Sequence, residues 1–174
     1  MKKIVVNDTN VFIDLYEVGL LEGFFSLPWE VHTTDFVMLE LQREGQHETV
    51  ARYQTDKRLV VPVFEAKELL EIGRLYQQYV NRTNLSLTDC SVWYYAKMNN
   101  CILLTGDRKL RKVSVFDGIE VHGVLYVIDR LVELDIVSRQ VAVEKLQQLY
   151  VINPRLPKEE VDKRINLWKS EILK

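Results

Sequence analysis

Five short apolar runs, at residues 3–7, 31–33, 59–64, 102–105 and 119–122, alternate with stretches whose apolar residues recur at helical spacing. Runs of three to six residues are strand-sized, and strands that alternate with helices read as βαβ units closing a parallel sheet. The first helix is expected to start at Thr9 or Asn10 and to turn Val11, Phe12, Leu15 and Val18 inward. A short amphipathic segment at 20–27 stops before Pro28, and a helix from Asp35 to about Arg43 is ended or interrupted by Gly45. Residues 66–80 carry Leu69, Leu70, Ile72, Leu75, Tyr76 and Tyr79 at helical intervals, with a break at Asn81-Arg82-Thr83-Asn84.

Ser86-Leu87-Thr88-Asp89 has capping-box spacing and opens the next helix, which presents Val92, Trp93 and Ala96 as a core stripe. Trp93, Tyr94 and Tyr95 are assigned to packing, because aromatics at helical spacing are ordinarily core residues. A helix with a wide apolar face follows at 123–132, and Ser138 caps another that runs to about Tyr150. Asn153-Pro154-Arg155-Leu156-Pro157 is the clearest break in the chain. Beyond it, Val161, Ile165, Trp168 and Ile172 form one stripe, with Glu159 and Glu160 in the first turn and Lys169 and Lys174 towards the end, as a helix dipole favours.

Four acids stand where these elements hand over to one another. Asp8 closes the first apolar run, Glu40 follows Phe36-Val37-Met38-Leu39, Asp89 opens a helix, and Asp107 ends Ile102-Leu103-Leu104-Thr105-Gly106. The carboxyl edge of a parallel sheet is where such folds gather their functional groups. Carboxylates brought together repel one another unless a cation sits among them. Mg²⁺ and Mn²⁺, which take oxygen ligands and keep several waters, are the cations that suit such a set. Each acid also has a purely structural reading: Asp8 as a helix cap, Asp89 as the reciprocal capping-box partner, Asp107 as a turn residue, and Glu40 as a solvated helix position.

Composition narrows the class of function. With 174 residues, 47% hydrophobic and 28% charged, the chain has the make-up of a globular domain with a real core. A net charge of -2 and a pI near 6.0 argue against binding nucleic acid by bulk electrostatics and leave room only for a local basic patch. Arg108, Lys109, Arg111 and Lys112, directly after Asp107, supply one; the competing reading is a solvated helix face. Cys90 and Cys101 lack metal or redox spacing and read as reduced core thiols, and His32, His47 and His122 lack the spacing of a zinc site. No signal peptide or membrane span fits, so the cytoplasm is the expected location.

Val6-Asn7-Asp8-Thr9-Asn10-Val11-Phe12-Ile13-Asp14-Leu15, Thr33-Thr34-Asp35-Phe36-Val37-Met38-Leu39-Glu40-Leu41, Leu87-Thr88-Asp89-Cys90-Ser91 with the later Ala96-Lys97, and Leu103-Leu104-Thr105-Gly106-Asp107 resemble the four motifs of the PIN-domain nucleases, in particular VapC-like toxins and their relatives. The resemblance covers roughly residues 1–137. It implies a three-layer α/β/α domain with a central, mostly parallel sheet at 1–137; the helices at 138–174 extend beyond the usual compact toxin and are expected to form a C-terminal extension packed on the domain or on a partner. It implies Mg²⁺ or Mn²⁺ at Asp8, Glu40, Asp89 and Asp107, with Asn10 and Thr105 as assisting polar residues. The function it implies is ribonuclease chemistry, hydrolysis of RNA phosphodiester bonds by a toxin-like member of a toxin-antitoxin system, with an antitoxin and a second copy of the chain as protein partners. Many members carry a further acid soon after the fourth motif, where this chain reads Arg108-Lys109-Leu110-Arg111-Lys112, which leaves the number of metals open. Two other functions compete: a non-catalytic PIN-like module that binds RNA or protein, and a phosphotransfer or phosphatase domain. The first gives no reason to retain four carboxylates, and the second lacks Asp-x-Asp-x-Thr after the first strand.

Overall fold

The computed structural model describes residues 3–41 and 45–173. Five strands, β1 (Lys3–Asn7), β2 (Trp29–His32), β3 (Leu59–Val60), β4 (Ile102–Leu104) and β5 (Val121–His122), form one sheet in the order β3-β2-β1-β4-β5, and every pairing is parallel. The helices are α1 (Thr9–Glu17), α2 (Leu21–Ser26), α3 (Asp35–Glu40), α4 (Gln46–Thr55), α5 (Ala66–Thr83), α6 (Leu87–Asn99), α7 (Arg108–Phe116), α8 (Val124–Glu133), α9 (Arg139–Ile152) and α10 (Lys158–Ile172). The α/β class with a parallel sheet is therefore as the sequence pattern requires.

Strand order decides where the site lies. The chain winds outward from β1 through β2 to β3 and then returns to lay β4 on the other side of β1, so the direction of winding reverses between β1 and β4. Helical connections leave the two strand ends in opposite directions there, which opens a crevice at the carboxyl edge. Asp8 follows β1 and Asp107 lies three residues after β4, at that reversal.

Several local details differ from the sequence expectation, each for a visible reason. The strand expected over 59–64 ends at Val60, since Pro62 has no N–H to give to a ladder. Residues 46–55, left without an element by the sequence reading, form α4, whose stripe of Gln46, Val50 and Tyr53 is too polar to register as amphipathic. Gly45 precedes it at φ +82, a left-handed conformation that favours glycine. Helix α5 runs through the expected break to Thr83, and Asn84 stops it by taking the left-handed conformation at φ +56. Arg108, Lys109, Arg111 and Lys112, read from sequence as a basic cluster or a solvated helix face, lie on α7. The third helix, expected to reach about Arg43, ends at Glu40, and Leu41 leaves the helical conformation at ψ 78; Arg43 itself and Lys174 lie outside the described residues.

The chain divides into two compact units: residues 1–13 with 28–123, and residues 14–27 with 124–174. The first contains the sheet and α3 to α7. Its core includes Val5, Val6, Val31, Val92, Trp93, Ala96, Leu103 and Leu104, so the stripe expected on α6 is buried. Cys90 and Cys101 are free and buried, and burial pushes their thiols up to about 12 and about 11. In the second unit α10 packs along α9, burying Val161 and Trp168, while Ile165 is half-buried and Ile172 exposed. Arg164 donates Nε and Nη2 to the two carboxylate oxygens of Asp129 on α8 at 2.8 and 2.7 Å. Asn153, where α9 ends, donates to the buried Asp14 carboxylate at 3.1 and 3.2 Å. Val161 and Trp168 of the terminal stripe are thus packed within their own unit. No described helix is long and apolar enough to cross a membrane.

Trp168→Ala should therefore destabilise the protein by about 3–5 kcal/mol, the usual result of emptying a buried aromatic site. Chemical denaturation followed by circular dichroism measures it; an unchanged midpoint would mean that the stripe is not seated in the folded protein.

Candidate active site

Asp8 is the most constrained of the four acids. The end of a core strand carries it inward, only 3% exposed, and three donors from two turns engage it. Oδ1 accepts from the backbone N–H of Thr9 at 2.8 Å; Oδ2 accepts from the Thr105 hydroxyl at 2.7 Å and from the Asn10 side-chain amide. The Asn10 carbonyl oxygen accepts from the backbone N–H of Gly106 at 2.7 Å, which ties the β1–α1 turn to the β4–α7 turn. A side chain at Gly106 would bring its Cβ within 3.1 Å of that oxygen, so the close approach explains glycine there. Thr105 also accepts from the backbone N–H of Asp107 at 3.0 Å, so Asp8, Thr105 and Asp107 are linked in series.

The other three acids arrive on helix termini. Asp107 caps α7, and one of its oxygens accepts from the N–H groups of Lys109 and Leu110 at 2.8 Å each. Asp89 sits in the first turn of α6 in a reciprocal capping box: its N–H donates to Ser86 Oγ at 2.9 Å, and its Oδ2 accepts from Ser86 N–H at 2.7 Å. Glu40 ends α3 and accepts from the Thr9 hydroxyl at 2.7 Å. The structural roles weighed for Asp89 and Asp107 are thus filled. They use one oxygen each, however, and among the described residues the second oxygens of Asp89, Asp107 and Glu40 receive no hydrogen bond.

Charge links all four. Burial, reinforced by the charges of Asp89 and Glu40, pushes the Asp8 carboxyl up to about 7 against the lowering effect of its hydrogen bonds. Burial likewise raises Asp89, opposed by the Ser86 bonds and reinforced by Asp107 and Glu40. Among the described residues no three of His, Cys, Asp or Glu are drawn close enough to hold an ion between them directly. Among the described residues the set is therefore a group of mutually repelling carboxylates with three unengaged oxygens and no cationic side chain paired to it. That donor chemistry fits a hard divalent cation, held in part through water, as Mg²⁺ is ordinarily bound.

Four residues make connections that were not legible in the sequence. Thr9 bridges Asp8 and Glu40 through its N–H and its hydroxyl. The Thr33 hydroxyl donates to the Asn7 carbonyl at 2.7 Å, and the Thr34 hydroxyl, which caps α3, shares a 2.8 Å hydrogen bond with Ser91 on α6. His32 is buried between Tyr95 and Glu30, at 2.6 and 2.9 Å, and so fastens β2 to α6. Of the basic cluster, Arg108, Lys109 and Lys112 are exposed, whereas Arg111 donates to the carbonyls of Val121 and Thr105 at 2.9 and 3.2 Å, and burial pulls its guanidinium below the usual arginine range.

Compared with known proteins, residues 4–170 match a family model described as DUF3368, PIN domain. The chain belongs to the PIN-domain family. No curated protein matches it. Among solved structures it is similar to PAE2754 from Pyrobaculum aerophilum, at 16% identity and a TM-score of 0.53, covering 75% of this chain and 98% of that one. It is also similar to a PilT N-terminus domain protein, SSO1118, from the archaeon Sulfolobus solfataricus, at 14% identity and a TM-score of 0.51, covering 75% and 94%. These two likenesses show the fold. VapBC2 from Rickettsia felis, bound to a promoter DNA fragment, overlaps 69% of this chain and 98% of its own at 17% identity, with a TM-score of 0.46, a level that carries no inference about partners.

The buried acid sets a pH dependence. Asp8 keeps its proton in the folded protein up to about 7 but loses it near 3.8 when unfolded, so the folded state holds the extra proton between those values. Its contribution to stability is present below about 4 and is lost as pH rises through about 7. In EDTA, stability should fall across that window, and Asp8→Asn should flatten the fall. An Asp8 carbon resonance titrating in the ordinary carboxylate range would contradict the assignment.

Proposed function

We propose that this chain is a divalent-metal-dependent ribonuclease that hydrolyses RNA phosphodiester bonds. The observation that carries the reading is the electrostatic coupling of Asp8, Glu40, Asp89 and Asp107 around the β1/β4 reversal, without a paired cationic side chain among the described residues. Asp8, Glu40, Asp89 and Asp107 would hold Mg²⁺ or Mn²⁺, directly or through water. When bound, such an ion supplies Lewis acidity and positive charge at a phosphodiester, so the protein needs no nucleophile of its own.

The chain's own part is positioning. Thr9, Asn10 and Thr105 fix the orientation of the Asp8 carboxylate before substrate arrives, and helix capping fixes Asp89 and Asp107. Preset dipoles and charges need not reorganise during reaction, which is where such sites gain rate. A toxin-like role, with an antitoxin or a second copy of the chain as partner, draws on the motif resemblance and on the exposed apolar residues Val63 and Leu70.

Asp8→Asn and Asp89→Asn should each abolish Mn²⁺-dependent cleavage of a labelled oligoribonucleotide while leaving the fold intact by circular dichroism, and EDTA should do the same to the natural protein. Full cleavage by either variant would remove that residue from the mechanism. Binding of the oligonucleotide with no cleavage under any divalent ion would favour a non-catalytic binding module.

A further inference from the structure

Three cations without a described carboxylate partner converge on one concavity of the first unit. Arg82 comes from the last turn of α5, Lys109 and Lys112 from α7, and they line a hollow of about 360 Å³ together with Asn81, Thr83, Asn84 and Val113. Each cation has an ordinary explanation by itself: Arg82 complements the carbonyl end of its helix, and Lys109 and Lys112, three residues apart, share a solvated face. Their convergence is different. Like charges from two separate helices repel across a shared hollow unless an anion occupies it.

The position of the hollow identifies the anion. Lys109 follows Asp107 by two residues, so their backbones are separated by no more than ~7 Å, and Asn84 leads through Leu85 and Ser86 into the α6 turn that carries Asp89. Both walls therefore run into the acidic quartet. A volume of about 360 Å³ is that of a site for one small group, so it suits one stretch of strand backbone and not a duplex. The lining offers no aromatic ring for a base to stack on; apart from Val113 it presents cations, amides and a hydroxyl, which is the chemistry of phosphate contact without base readout.

We propose that this hollow seats a backbone phosphate of single-stranded RNA beside the bond to be cleaved, with Arg82, Lys109 and Lys112 as its cations and the side-chain amides of Asn81 and Asn84 as neutral donors. The proposal rests on the ribonuclease reading above. It moves the substrate contacts away from Arg111, whose guanidinium is spent on backbone carbonyls, and adds residues from α5 that no motif contains.

The test is fluorescence anisotropy of a labelled oligouridylate with the full chain in EDTA, titrated at several NaCl concentrations. Arg82→Gln, Lys109→Gln and Lys112→Gln should each weaken binding and reduce the slope of log affinity against log salt by about 0.7, the value for one phosphate contact on a single strand. Lys67→Gln, at the far end of α5, should keep the natural slope. Natural slopes in the three groove variants, or preferential binding of polyglutamate or of duplex RNA, would overturn the proposal. The expected slopes together with no cleavage by the natural protein in Mn²⁺ would support the groove and overturn the ribonuclease reading instead.

Discussion

A carboxylate buried at the end of a core strand is the constraint on which the rest of the site depends. Asp8 cannot shed its charge cost to water, so the chain answers it with the Thr9 amide, the Asn10 side chain and the Thr105 hydroxyl. Those donors belong to the turns after β1 and β4, and engaging them locks the two turns together across the point where the winding reverses. The hydrogen bonds do not fully offset burial and repulsion, since the carboxyl is still held near 7. The shortfall marks where a cation would be most stabilising.

Around that centre the other acids are fixed by economical local devices. Helix capping orients Asp89 and Asp107, and in each case leaves an oxygen without a described donor. Glu40 is reached through Thr9, so one residue couples the first strand to α3. Thr33, Thr34 and His32, consecutive at the end of β2, attach that strand to β1 and to α6. Structural and functional readings of these residues are therefore not alternatives: a capping aspartate is held rigid by the cap, and rigidity is what a metal ligand or a proton acceptor requires.

How much of this was legible in the sequence varies with the range of the interaction. The parallel α/β fold and most helices could be read because periodicity and capping are local: Ser86 with Asp89, Ser138, and the stripe of α10 all speak within a few residues. α4 was missed because its inward face, Gln46, Val50 and Tyr53, is half polar. The extent of α5 was misjudged because Asn84, and not Asn81, takes the left-handed turn. Contacts between distant residues left no trace in one sequence: Thr9 reaches Glu40, Arg111 reaches backbone carbonyls, and Arg82 shares a hollow with Lys109 and Lys112 only because the fold brings the end of α5 and one face of α7 to its rim. Charge alone could not separate Arg111 from its neighbours, since what distinguishes it is burial.

The central claim, that four carboxylates at the β1/β4 reversal await a divalent cation, is tested most directly by Mn²⁺ titration calorimetry in two buffers of different ionisation enthalpy. Near pH 6.5 the account expects binding to release protons, because Asp8 must ionise to accept the cation, and the release should vanish by about pH 9, where Asp8 is already charged. Binding without proton release near pH 6.5, or no Mn²⁺ binding at all, would contradict it.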